Sequence, residues 1–117
     1  MSCIPVERVE VVHFHATQQC ISCIAVGRLA KETLKESFSA EMESGRVIFR
    51  DVNGELPENS EIVLQYQARG SSLFTNAISQ GQEHVEEDTT VWRLYANEEQ
   101  YKEYFERKIR DLLSCAS

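Results

Sequence analysis

Two cysteines separated by two residues, Cys20-Ile21-Ser22-Cys23, carry the most evident chemistry in this sequence. Where such a pair opens a helix, residues three apart lie on nearly the same side of the first turn, so the two sulfurs can close a disulfide. The unpaired N–H groups of that turn and the positive end of the helix dipole stabilise a thiolate at Cys20, whose pKa is expected below the free value of roughly 8.5. Cys20 is therefore the expected nucleophile. It attacks a substrate disulfide and forms a mixed disulfide, which Cys23, the more buried thiol, then resolves. No cofactor is required. The expected partner is a protein or small-molecule disulfide or dithiol, with a reductase as a candidate electron partner.

His13 and His15 precede the pair and alternate on one face of a strand. A histidine near a thiol can lower its pKa or shuttle its proton, and His15, five residues before Cys20, is the candidate for that task. A hydrogen-bonded strand histidine without a catalytic part is the plainer reading of the same residue. Together, two imidazoles and two thiolates also make a ligand set that suits zinc or copper. Convergence on one metal would require bending the loop between strand and helix, so no metal site is expected.

These residues need a strand that runs almost directly into a helix, and the sequence supplies both. Val9 to Ala16 is rich in β-branched and aromatic residues and reads as a strand, bounded by the polar Thr17-Gln18-Gln19. Val26, Ala30, Leu34 and Phe38 then recur every four residues, predicting a helix from about Cys20 to Phe38. Val47 to Val52 reads as a second strand between the Ser44-Gly45 and Asn53-Gly54 turns. A second helix follows, with Pro57 in its first turn, Ile62, Val63 and Tyr66 on its apolar face, and Gly70 as its left-handed terminator. Ser71 to Ser79 reads as a third strand, with Gln80-Gly81-Gln82 turning into a fourth around Glu83 to Glu86. Asn97 and Gln100 fit a capping box for a last helix from about Glu98 to Leu113, carried by Tyr101, Phe105, Ile109 and Leu112. The order is β-α-β-α-β-β-α, and the helix between the first two strands makes them parallel.

A length of 117 residues with 42% hydrophobic content suits one core, so residues 1–117 are expected to form a single domain. No stretch approaches the roughly twenty apolar residues that span a bilayer, and Met1 to Pro5 lacks a signal peptide's regions. A soluble, cytoplasmic protein with no membrane partner is the default expectation. Nineteen acidic against twelve basic residues, a formal charge of −7, disfavour nucleic acid as a partner. Cys3 and Cys115 stand alone near the chain ends and are expected to be incidental. Trp92, Tyr66 and the tyrosines of the last helix read as packing residues. Oligomeric state is left open by the sequence.

The element order, with Cys20-Ile21-Ser22-Cys23 between the first strand and first helix, resembles the thioredoxin superfamily. Val47-Ile48-Phe49-Arg50-Asp51-Val52 is similar to the family's second strand, and Asn59 to Tyr66 followed by Gly70 is similar to the helix that leads to its substrate-facing loop. The resemblance implies an α/β thioredoxin-like fold, a central mixed four-stranded sheet flanked by helices, with thiol-disulfide oxidoreductase activity at Cys20 and Cys23. The substrate-facing loop would fall at Ser71 and Ser72. The pattern His15-x4-Cys20-x2-Cys23 and Trp92 are also similar to a group of thioredoxin-like proteins found near arsenic-handling and nitroaromatic-reductase genes. Three positions depart from the family. Ser72 stands where a cis-proline would be, Ile21-Ser22 replaces Gly-Pro, and Phe14, six residues before Cys20, replaces a buried acid. The resemblance thus assigns His15 the proton handling that the acid would perform. The same departures suit a second function, a non-catalytic module on this scaffold that docks a partner protein.

Overall fold

The computed structural model describes residues 6–114; Cys3 and Cys115 lie outside them. Four strands, β1 (Arg8–His15), β2 (Val47–Asn53), β3 (Ser72–Ser79) and β4 (Gln82–Glu87), form one sheet in the order β2-β1-β3-β4. The first pair is parallel and the others are antiparallel, so the sheet is mixed, as expected. Four α-helices accompany them: α1 (Ile21–Ser37), α2 (Ser39–Ser44), α3 (Ser60–Tyr66) and α4 (Glu98–Ser114).

β1 is buried on both faces, and alternation sorts its side chains into two cores. Val9 and Val11 face the larger core, with Val26, Leu29, Ala30 and Leu34 of α1 and Tyr101, Phe105 and Ile109 of α4. Val12 and Phe14 point the other way, to Val52, Tyr66 and Phe74. The hydroxyl of Tyr101 donates to the carbonyl of Val26 at 2.6 Å and ties α4 to α1.

Several boundaries differ from the sequence reading, each for a local reason. Phe38 ends α1 with non-helical backbone because its ring is taken into the core, and the unexpected α2 then runs to Gly45, whose φ of 86° closes it. Pro57 opens a short 3-10 turn, Pro57–Asn59, ahead of α3. Gln67, not Gly70, terminates α3. With φ of 53° at Gln67, its N–H reaches Leu64 O at 3.1 Å and the Ala68 N–H reaches Val63 O at 3.0 Å, which satisfies the last carbonyls one turn early. Gly70, with φ of 65°, sits instead in the loop entering β3. A 3-10 turn at Thr90–Arg93 was also not anticipated; Asp88 Oδ1 accepts the Thr90 and Val91 N–H groups at its start. Trp92, half-buried in this turn, packs against the larger core.

Candidate active site

Cys20 is the N-cap of α1, with extended backbone, and its Sγ accepts the N–H of Cys23 at 3.2 Å. The sulfur thus takes the place that a serine or aspartate oxygen fills at other helix starts. Ser22 Oγ lies 3.1 Å from the same sulfur. No acidic residue occupies the first turn of α1, so no fixed negative charge there offsets the helix dipole. Cys20 is exposed and Cys23 is buried; their Cα atoms are 5.1 Å apart and the pair is joined as a disulfide. Ile21, 85% exposed, and Ile24, half exposed, give the rim of the site an apolar character.

The loop that carries the motif is pinned to the end of β2. Gly54 N–H donates to His15 O at 2.8 Å, Asn53 Nδ2 donates to Thr17 Oγ1 at 3.0 Å, and the Thr17 N–H donates to Glu55 Oε1 at 3.0 Å. The backbone N–H and hydroxyl of Thr17 hold the Glu55 carboxyl below the usual carboxylate range. Ser72, buried, begins β3 opposite Phe14, and its hydroxyl donates to Gly70 O at 3.3 Å; Ser71 is half-buried. The described residues contain no cis peptide bond. At this end of the sheet a cleft of about 280 Å³ opens between Phe14, His15, Gly54, Val63 and Gly70.

The histidines sit differently from one another. His15 Nδ1 is 2.8 Å from Ala16 O and its Nε2 is 3.1 Å from Asp51 Oδ2, so both nitrogens are engaged. Both of these partners are acceptors, satisfied together when His15 carries a proton on each nitrogen. His13 is only 1% exposed; its Nδ1 donates to Asp51 Oδ1 at 2.7 Å. Asp51 thus joins the two imidazoles, which stack with centroids 5.5 Å apart. The sequence reading put weight on His15 and on Phe14. His13 figured there only in the rival metal set, and Asp51 only as a residue of the second strand. Strand alternation was the available signal, since Phe14 belongs to the core away from α1 and His13 to the face beneath it.

The rival metal reading needs thiolates and imidazoles to converge. One nitrogen of each imidazole is instead committed to Asp51, and the sulfurs to each other. Among the described residues no group of three or more His, Cys, Asp or Glu side chains is placed to hold a metal ion.

Solved structures share this fold. Fasciola hepatica thioredoxin superposes with a TM-score of 0.50 at 23% identity, covering 87% of this chain and 82% of that one. The fold is the thioredoxin fold. A zinc-bound form of human ERp44 superposes with a TM-score of 0.57 at 19% identity over 86% of this chain. This chain spans 26% of the ERp44 chain. No family model and no curated protein matches the sequence. At these identities the thioredoxin likeness is one of fold. No helix among the described residues is long and apolar enough to cross a membrane.

Proposed function

We propose that this protein is a thiol-disulfide oxidoreductase in which Cys20 is the nucleophile and Cys23 the resolving thiol. The observation that carries this reading is the capping role of Cys20. An exposed sulfur that accepts the Cys23 N–H at the start of a seventeen-residue helix is placed where a thiolate is stabilised and where a substrate can reach it. Cys23, buried beneath the same turn, is shielded from outside disulfides and positioned to attack only the sulfur of Cys20. The exchange needs no cofactor. The exposed Ile21 and Ile24 favour a protein disulfide with apolar surroundings as the substrate, docked across the loop at Ser71 and Ser72. The His15-x4-Cys20-x2-Cys23 spacing and Trp92 are compatible with the thioredoxin-like group near arsenic-handling and nitroaromatic-reductase genes, without naming a substrate.

The test is the rate of alkylation of Cys20 against pH in the reduced, metal-free protein, with Cys20→Ser as the control. The expected midpoint falls below the free-thiol value of roughly 8.5. The Cys20-Cys23 disulfide is also expected to equilibrate with glutathione. A midpoint at or above the free value, with a disulfide inert to glutathione, would overturn the reading in favour of a docking module.

A further inference from the structure

The cleft that ends at Gly70, directly before the Ser71-Ser72 loop, has apolar walls and one charge without a counter-ion. Phe14, Ala16, Val63 and Ala68 supply its apolar lining, and His15 and Glu55 its titratable groups. Both nitrogens of His15 are engaged, by Ala16 O and Asp51 Oδ2. Among the described residues no cationic side chain pairs with Glu55, whose hydrogen-bond partner is Thr17. The Thr17 N–H and hydroxyl hold its carboxyl below the usual range, so it is ionised at neutral pH. A carboxylate offers about four acceptor sites, and these two donors leave room for a cation.

Glu55 is held in position from both sides. Its N–H donates to Asn53 Oδ1 at 3.0 Å, and its Oε1 accepts the Thr17 N–H of the loop that carries the cysteines. The cleft volume of about 280 Å³ lies just below the roughly 300–1,000 Å³ of pockets that enclose whole small molecules, which suits one side chain of a docked polypeptide. Apolar walls favour methylene groups and the carboxylate favours a terminal cation. Lysine and arginine combine the two, laying an apolar stem along a wall while the charged head stays at a polar rim. An acidic side chain would instead meet Glu55, the Asp51 carboxylate bonded to His15, and a chain of net charge −7. An uncharged apolar side chain would cover Glu55 without pairing it.

We propose that this cleft selects protein disulfides that carry a lysine or arginine within about three residues of the attacked cysteine, roughly 10 Å of extended chain, with the stem against Val63 and Ala68 and the cation on Glu55. The proposal rests on the oxidoreductase reading above and names the substrate class of the same site. His15 and Ala16 of the cleft lead into the motif loop, and Gly70 leads into the Ser71-Ser72 loop, so a side chain held here belongs to a polypeptide lying across the cysteines. Glu55 acts on docking and touches no reacting atom. Its pairing with the substrate cation speeds formation of the mixed disulfide with Cys20.

The experiment is stopped-flow reaction of the reduced full-length chain, with Cys3 and Cys115 replaced by Ser, with capped peptides whose single cysteine is joined in a disulfide to 2-nitro-5-thiobenzoate. Attack by Cys20 on the peptide sulfur forms the mixed disulfide and releases the coloured thiolate. The peptides differ only in carrying Lys, Gln or Glu at one of the three positions on either side of the cysteine. At the best position Lys is expected to react about fivefold faster than Gln, the upper end for an exposed ion pair, with Glu slower than Gln. Added salt should shrink the advantage and Glu55→Gln should abolish it. Glu58→Gln makes the same change of net charge outside the cleft and should keep it. A Cβ at Gly54 would meet Val63 Cγ2 at 3.5 Å, an ordinary contact, so Gly54→Ala narrows the cleft without strain and should cut the advantage about twofold. No Lys advantage at any position, or one that survives Glu55→Gln, overturns the proposal. A parent chain that releases no thiobenzoate from any peptide removes the oxidoreductase reading instead, which separates the two failures.

Discussion

Gly27 lies so close to His13 that a methyl group at its Cα would come 2.6 Å from the imidazole Cε1. Alanine in a helix interior ordinarily stabilises by roughly 0.5–1 kcal/mol relative to glycine. Here the added carbon forces the ring or the helix to shift, and such overpacking costs roughly 1–3 kcal/mol. The neighbour that must give is a ring held at Nδ1 by Asp51, so the cost is expected to win. Gly27→Ala should destabilise the oxidised protein by about 1 kcal/mol net, read as a lower urea midpoint with the denaturant slope unchanged. A raised midpoint would contradict the packing.

The same contact explains what the sequence could and could not reveal. The Cys20-Cys23 pair, the alternating β1 and the stripe of α1 were legible because each is a short-range pattern, and the mixed sheet followed from their order. The residue beneath α1 was not, because counting back along the chain leads to Phe14. Which residue of a strand lies beneath a helix depends on the length of the intervening loop and on strand parity. In the structure Phe14 packs with Tyr66 and Phe74, at centroid distances of 5.6 Å, and His13 takes the face under α1. Asp51 was invisible for a related reason. Only the pairing of β1 with β2, which sets His13 beside Asp51, brings residues so distant in sequence together. The end of α3 shows a different limit. Gly70 was the expected terminator by residue type, yet the chain turns left-handed at Gln67.

Asp88, just after β4, anchors the Thr90–Arg93 turn to α4. Only 2% exposed, it accepts the Thr90 and Val91 N–H groups on one oxygen, and the Tyr104 hydroxyl and Lys108 ammonium on the other, each of the latter two at 2.9 Å. Asp88→Ala leaves two N–H groups and a largely buried ammonium without that acceptor. Glu86 still holds Lys108 at 2.8 Å, which limits the damage. A loss of about 3 kcal/mol is expected, the low end for breaking a buried pair, with Asp88→Asn intermediate. A loss under about 1 kcal/mol in denaturant unfolding would show that α4 does not depend on this latch.

Tyrosines in both cores make stability at alkaline pH a further check. Burial pushes the phenols of Tyr66, Tyr101 and Tyr104 above their ordinary value of 10.0; for Tyr104 the bond to Asp88 adds to the effect. Burial works against the ammonium of Lys108, but its hydrogen bonds to Glu86 and Asp88 outweigh this and raise its pKa above 10.5. All four groups keep their protons in the folded chain at a pH where the unfolded chain has lost them. Their contribution is therefore complete below about pH 10 and is lost as pH rises through the folded values. The denaturant midpoint should hold level up to about pH 9.5 and fall steeply between about pH 10 and 11, while phenolate absorbance lags behind that of the urea-unfolded chain. Tyr101→Phe removes the most deeply buried of these phenols and should make the fall shallower, at the cost of the bond to Val26 O. A midpoint that stays level through pH 11 would mean that these phenols and Lys108 are not held as the packing of α4 and α3 requires.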